Sequence, residues 1–585
     1  RTLIDLAGNL DQANLVSGNN TLRLETIVSD VGRPANAQVD WTYFKWVDVT
    51  YYRHYAAVNQ ELEFSQETPG TWRFVLTGLT NPGVRVFDIT NPQTPVRMTN
   101  GAAGPGTFSI QDTTTPDQRF LAVGASAVRT PAAMSLYIAY STNLRDTTRQ
   151  ADYIFITHPN FASTLQPLIT HRQSQGYDVV VADINAVYDQ FNAGIVDAEA
   201  IRTFFDYAYH SWAAPAPAYA LLVGGSNFNP HGRNTAYYGP QQPVYVPTID
   251  LMIDPYQGES AADSYFAAIS GNDPLPDIYL GRLPVMSTTD LTTVVNKIIA
   301  YEQNPTRGAW QNDILFVADN TDDAGNFEAV SEAIIATYLT SPGWDLRKVY
   351  YNPGMVNPPD PYYNTVDLAR GAIRTKWSQG VALANYVGHA FLDYWGSTVT
   401  DQQWHNNDTP TLYNGAKLPF LISLDCLDGY FDYPNRPSMA EKFLTHNNGG
   451  TVAHFAPSGL GIATGHDYLH RGFYNAIVNN HVLQTGPVVM AAKINLHTNV
   501  PNYFQDLLYT FGLIGDPAMS LVPLCRTTDI NCDNRVNIVD IQKVSAHWNT
   551  SSGQTGYVGR YDVTNDGSIS IADIIATATD YGWSQ

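Results

Sequence analysis

Charge is scarce in this chain. Of its 585 residues only 15% are Asp, Glu, Lys or Arg, against about a quarter in ordinary globular proteins. Basic residues are the scarcest: 32 Lys and Arg stand against 54 Asp and Glu, a net charge of −22. A surface of that sign repels phosphate backbones, which argues against a nucleic-acid partner. No run of about 18 apolar residues occurs, so no helical membrane span is expected. Cysteine is limited to three residues, and no Cys-x-x-Cys spacing marks a zinc site. No Gly-x-Ser-x-Gly elbow supports a serine hydrolase. The chain opens Arg1-Thr2-Leu3, without an initiator Met or a basic-then-apolar leader, and reads as a processed or truncated product.

Apolar residues make up 44% of the chain, with 36 Tyr and 11 Trp, too many for a disordered polymer. With so little charge, the solvated surface must rest on Asn, Thr, Ser and Gln. That composition suits an extracellular protein. Length alone suggests three or four domains at about 150 residues each.

Three zones follow one another. Residues 1–148 hold short β-rich runs such as Trp46-Val47-Asp48-Val49-Thr50-Tyr51 and Val84-Arg85-Val86-Phe87, parted by turn clusters such as Asn81-Pro82-Gly83. This pattern predicts a β-sandwich. In residues 149–524, continuous apolar strands (Tyr153-Ile154-Phe155-Ile156-Thr157, Ala220-Leu221-Leu222-Val223, Ile314-Leu315-Phe316-Val317) alternate with helical stretches, one opened by the capping box Ser287-Thr288-Thr289-Asp290. Strands buried on both faces predict a parallel sheet flanked by helices. Residues 525–585 form a small helical third zone.

The third zone is duplicated at an offset of 33 residues: Asp529-Ile530-Asn531-Cys532-Asp533 recurs as Asp562-Val563-Thr564-Asn565-Asp566. Oxygen-bearing side chains fall at loop positions one, three, five, nine and twelve. They are Asp529, Asn531, Asp533, Asn537 and Asp540 in the first copy, and Asp562, Thr564, Asp566, Ser570 and Asp573 in the second. Arg535 and Ser568, at position seven, would add their backbone carbonyls, and Gly567 stands where the second loop must turn. Ca²⁺ takes six to eight hard oxygens from such an alternation. The tail resembles a type I dockerin, which implies two calcium loops, each leading into a helix, and a cohesin-bearing scaffold as partner. It departs from the usual pattern at Thr564, in place of Asn or Asp, and at Asn534, in place of Gly. In an oxidising compartment Cys525 and Cys532 can bridge, which leaves Cys426 over.

Cys426 follows the apolar strand Phe420-Leu421-Ile422-Ser423-Leu424, and His389 follows Asn385-Tyr386-Val387-Gly388. Ligands bind beyond the carboxyl ends of strands in open sheets. If these two strands are neighbours, a thiol faces an imidazole there, the pairing a thiolate nucleophile needs. N–H groups near Ala390 and Cys426 are candidates to hold an oxyanion. His454, at another strand end, competes for the role of base. The segments Asn385–His389 and Asp425-Cys426-Leu427-Asp428-Gly429-Tyr430-Phe431 resemble the active-site segments of gingipain-type cysteine peptidases. Gly281-Arg282-Leu283-Pro284 and Phe511-Gly512-Leu513-Ile514-Gly515-Asp516-Pro517 support the likeness, as do residues 46–52 and 88–92 for a preceding β-domain. The resemblance implies a caspase-like fold and a secreted or cell-surface endopeptidase acting on proteins or peptides. It makes Cys426 the nucleophile and His389 the base, with Asp319 or Asp322 as the orienting acid. Family members commonly have glycine after the histidine, where this chain has Ala390. No counterpart is assigned to the acid of the family's Arg/Lys pocket. The competing reading is a catalytically inactive peptidase-like surface or scaffold-assembly protein.

Overall fold

The computed structural model describes residues 54–80, 82–92, 94–130, 142–340, 344–521, 527–531, 533, 535–564 and 566–584. Residues 46–52 and Cys525, Cys532, Asn534 and Asn565 lie outside them. The chain divides into two compact units near residue 140.

The smaller unit is built of antiparallel ladders. Glu61–Ser65, Arg119–Val123, Arg85–Asp88 and Val96–Met98 form one sheet, and Gly70–Thr77, Thr107–Thr114 and Ala102–Gly104 another. Alternation explains both: in Glu61–Ser65 every second residue is buried. These residues join Phe74, Leu76, Ile110 and Phe120 in one core.

The larger unit is organised on an eleven-stranded sheet. In chain order its strands are β1 (Tyr153–Thr157), β2 (Val179–Asp183), β3 (Tyr219–Val223), β4 (Tyr279–Leu283), β5 (Asp313–Ala318), β6 (Asp345–Tyr351), β7 (Tyr362–Tyr363), β8 (Leu383–Val387), β9 (Phe420–Leu424), β10 (Ala453–Pro457) and β11 (Phe511–Ile514). Their order across the sheet is β7-β6-β5-β8-β9-β10-β11-β4-β3-β1-β2. β1, β5, β8 and β9 are buried at every position, as their largely apolar runs demand. The helix Thr288–Gln303 starts where the sequence predicts, with Ser287 accepting the N–H of Asp290.

The expectation of a parallel sheet fails at one seam. β10 and β11 pair antiparallel, so two parallel blocks meet there and the sheet is mixed. The reason lies in the connection. A single crossover helix returns the chain to the end from which a strand began, giving a parallel neighbour. Two long helices, Ala463–Tyr474 and Thr485–Asn499, lie between β10 and β11, and the next strand runs back. Burial on both faces yields an apolar run in either direction, so composition does not report the reversal.

The Gly-rich motifs beside the seam have packing roles. A Cβ on Gly281 would meet the Gly515 carbonyl at 2.2 Å, so only glycine lets β4 and the end of β11 approach. Asp516, fully buried, accepts Arg172 Nη2 at 2.8 Å and the Tyr153 hydroxyl at 2.7 Å. The C-terminal segment carries two helices, Ile538–Ala546 and Ile571–Thr579, each preceded by one copy of the duplicated loop. Among the described residues no helix is long and apolar enough to cross a membrane.

Candidate active site

β8 and β9 are hydrogen-bonded neighbours, with Val387 opposite Leu424. Two residues beyond each stand His389 and Cys426, on the same rim of the sheet. β5, on the far side of β8, ends at Ala318 opposite Val387 and delivers Asp319 and Asp322 to that rim. The sheet ladder therefore sets Cys426, His389 and both acids along one rim.

The two acids hold different parts of the histidine. Asp322 Oδ2 lies 2.8 Å from His389 Nε2. Its other oxygen accepts the Ala324 N–H at 2.8 Å, within a turn closed by hydrogen bonds between Asp322 and Gly325. Asp319 is buried and does not reach the ring. It accepts the His389 main-chain N–H at 3.3 Å, the Asn320 N–H at 2.8 Å and Gln403 Nε2 at 2.5 Å. Burial holds its carboxyl up at about 6, against the lowering effect of those backbone donors. Phe327 meets the His389 ring edge to face at 5.3 Å. The ring nitrogen not engaged by Asp322 is Nδ1. Gly388 lies where a Cβ would stand 2.4 Å from Asp319 Cβ and 2.7 Å from the Tyr386 hydroxyl.

Cys426 is partly buried. Its thiol donates to the Gly461 carbonyl at 3.7 Å rather than to His389. Burial pushes this thiol above its usual range; Gly461 works in the other direction, and the carboxylates of Asp254 and Asp428 add to the rise. Leu427, the next residue, adopts φ +66°, a left-handed conformation that costs a leucine about 1–2 kcal/mol. It is held by burial and by its N–H, which donates to Gly459 O at 3.1 Å. Among the described residues no main-chain carbonyl accepts the Cys426 N–H. Ala390 is instead drawn into a short antiparallel pair with Trp395.

His454 does not reach the cleft. It is fully buried, 2.7 Å from the Ser423 hydroxyl and 3.5 Å from Asp428, and burial pushes its pKa down to about 3.

Sequence reasoning missed Asp254. This buried carboxylate accepts the N–H groups of Tyr256, Gln257 and Leu460 at 2.8, 2.9 and 2.5 Å. It thereby fixes the Gly459–Gly461 segment that faces the thiol. A Cβ on Gly459 would stand 2.7 Å from Asp254 Oδ2. No local signal marks it, because its partner Leu460 lies about 200 residues away along the chain.

In the tail, Asp529, Asp540, Asp562 and Asp573 are all buried. Asp540 accepts the N–H groups of Asn531 and Asn537, and Asp573 those of Thr564 and Ser570. Asp562 accepts from Asp566, Gly567 and the Tyr557 hydroxyl. Asp533 and Asp566 accept the N–H groups of Arg535 and Ser568. Gly567 has φ +82°, the sharp turn expected at position six. Among the described residues no three His, Cys, Asp or Glu side chains gather as a metal cluster. The loops mix carboxylate with amide, hydroxyl and carbonyl oxygens, a donor set that fits a hard cation such as calcium rather than zinc.

A thiol and an acid-held imidazole thus stand at adjacent strand ends. Residues 146–522 match the model of peptidase family C25, and residues 527–576 that of the dockerin type I domain. The chain belongs to peptidase family C25 and carries a type I dockerin domain. Among curated proteins it is 28% identical over 278 residues to gingipain R2 of Porphyromonas gingivalis, covering 45% of this chain and 35% of that one. To Lys-gingipain HG66 of the same organism it is 20% identical over 425 residues, covering 71% of this chain and 20% of that one. It thus spans about a third or less of the length of these relatives. The crystal structure of the Arg-specific cysteine proteinase gingipain R superposes with a TM-score of 0.50 at 20% identity, over 66% of this chain and 81% of that one, a likeness of fold.

Proposed function

We propose that this protein is a secreted or cell-surface cysteine endopeptidase acting on proteins or peptides. Cys426 Sγ attacks the peptide carbonyl carbon while His389 Nδ1 takes the thiol proton and then delivers it to the leaving amine. Water hydrolyses the resulting thioester acyl-enzyme, with His389 as base. Asp322, bound to Nε2, fixes the ring and stabilises the imidazolium that forms. Asp319 holds the loop that carries His389 rather than its ring. The Cys426 N–H donates to the oxyanion. The observation that carries this reading is the pairing of β8 with β9, which sets thiol and imidazole on one rim beside Asp322.

The working parts are a β-domain over residues 1–148, the peptidase over 149–524 and the dockerin over 525–585. Each dockerin loop holds one Ca²⁺ through the residues named above. The ions order the two helices, and the module anchors the enzyme to a cohesin-bearing scaffold; calcium takes no part in the chemistry. A second reading, an inactive peptidase-like scaffold protein, draws on the thiol's bond to Gly461 and on Ala390. Iodoacetamide labelling alongside a mixed peptide library, in wild type and Cys426→Ala, separates the two. A wild type that, after mild proteolytic activation, neither labels at Cys426 nor cuts any peptide would sink the peptidase.

A further inference from the structure

Cys426 is flanked by two acids that the mechanism does not use. Asp425 and Asp428 are 1% and 0% exposed. Their carboxyl groups lie within hydrogen-bonding reach of each other. Among the described residues no N–H or O–H donor reaches either oxygen of Asp425 or the Oδ1 of Asp428. The Asp428 carboxyl is also hydrogen-bonded by the Ser423 hydroxyl, and its Oδ2 accepts Trp395 Nε1 at 3.3 Å. Two buried carboxylates in contact repel strongly and have no cation to separate them. A single proton held between them turns that repulsion into a charge-assisted O–H···O⁻ bond.

We propose that Asp425 and Asp428 share one proton, and that the bonded pair positions the Cys426 loop against the His389 loop. The proposal rests on the reading of Cys426 as nucleophile. The link to the histidine is continuous. Trp395, whose indole donates to Asp428, stacks on Tyr386 with ring centroids 4.3 Å apart and planes 5° from parallel. The Tyr386 hydroxyl donates to the His389 carbonyl at 2.5 Å. The same carbonyl accepts the N–H of Gly396, next to Trp395. On the other side, Asp428 O accepts the Ala440 N–H at 3.0 Å, which ties the thiol loop to the helix Met439–Thr445.

The titratable groups facing the pair are Tyr386 from β8, His454 from β10 and Cys426 itself, with Asp254 facing the thiol. None supplies a positive charge: burial keeps His454 neutral and Tyr386 protonated. Burial raises both acids, Asp425 far above the usual carboxylate range and Asp428 to about 7, in keeping with one proton retained at neutral pH.

Two measurements on the full chain test this without relying on peptide cleavage. Difference infrared spectra at neutral pH between wild type and Asp425→Asn should show a carboxylic-acid C=O band in wild type that the variant lacks; absence of that band overturns the shared proton. The rate at which iodoacetamide alkylates Cys426 reads the positioning. In Asp425→Asn the new side-chain amide replaces the O–H donor, so this variant should stay within about twofold of wild type, while Asp425→Ala loses about tenfold. Equal losses for the two variants overturn the positioning role. If Asp425→Ala does not fold, Asp425→Asn decides alone: a rate about tenfold down overturns the role. Because both readouts observe the carboxyl or the thiol directly, failure of the peptidase reading leaves them intact.

Discussion

Asp322 takes the imidazole of His389 at Nε2, 2.8 Å away, while Asp319 takes the same residue by its main-chain N–H at 3.3 Å. Only three positions separate the acids, yet one is a third exposed at the start of a turn and the other is buried against Gln403.

This division predicts different losses. Asp322→Ala should lower kcat/KM at least about tenfold with little change in thermal stability, because it removes the partner of the ring and, besides that, one exposed side-chain bond to the Ala324 N–H. Asp319→Ala should lower the midpoint of denaturant unfolding, because three donors lose their acceptor. Steady-state kinetics and urea titration of both variants check this. Equal kinetic and stability effects in the two would contradict the assignment.

Cys426 should alkylate in a pH window set by its environment. Burial and the nearby carboxylates raise the thiol pKa, so the thiolate fraction grows only as pH climbs past the usual value of about 8.5. The rate with iodoacetamide should rise through and beyond that pH, with no plateau near pH 6. Such a plateau would report a preformed thiolate–imidazolium pair instead.

Gly388→Ala tests the close approach behind the dyad. The added methyl meets Asp319 Cβ at 2.4 Å, and overpacking of this kind costs about 1–3 kcal/mol. A lower melting temperature with reduced activity is expected. A neutral effect would mean that the β5 and β8 ends yield easily.

For the tail, calorimetry with Ca²⁺ should find two sites, and Asp573→Ala should leave one. Chelation should reduce the far-ultraviolet helical signal of Ile538–Ala546 and Ile571–Thr579. Identical spectra with and without the ion would argue against structural calcium.

What the sequence made legible follows from which interactions are local. Runs such as Phe420–Leu424 announce strands buried on both faces, and Cys426 and His389 announce themselves by standing just past two of them. The turn that binds the ring could not be assigned, since Asp319 and Asp322 look alike until β5 is set beside β8. Asp254 and the antiparallel seam were invisible because each depends on segments brought together only by the finished sheet. The left-handed Leu427 was hidden for a different reason: leucine has no preference for that conformation, and its neighbours impose it.

The thiol and the imidazole each sit two residues past strands whose spacing, about 4.8 Å, is fixed by main-chain hydrogen bonds. The ladder therefore fixes where the two loops begin, and their own side-chain contacts set how thiol and imidazole meet. Heating that loosens surface segments but spares β8 and β9 leaves the pair in register, so inactivation and melting of the central sheet should coincide in one transition.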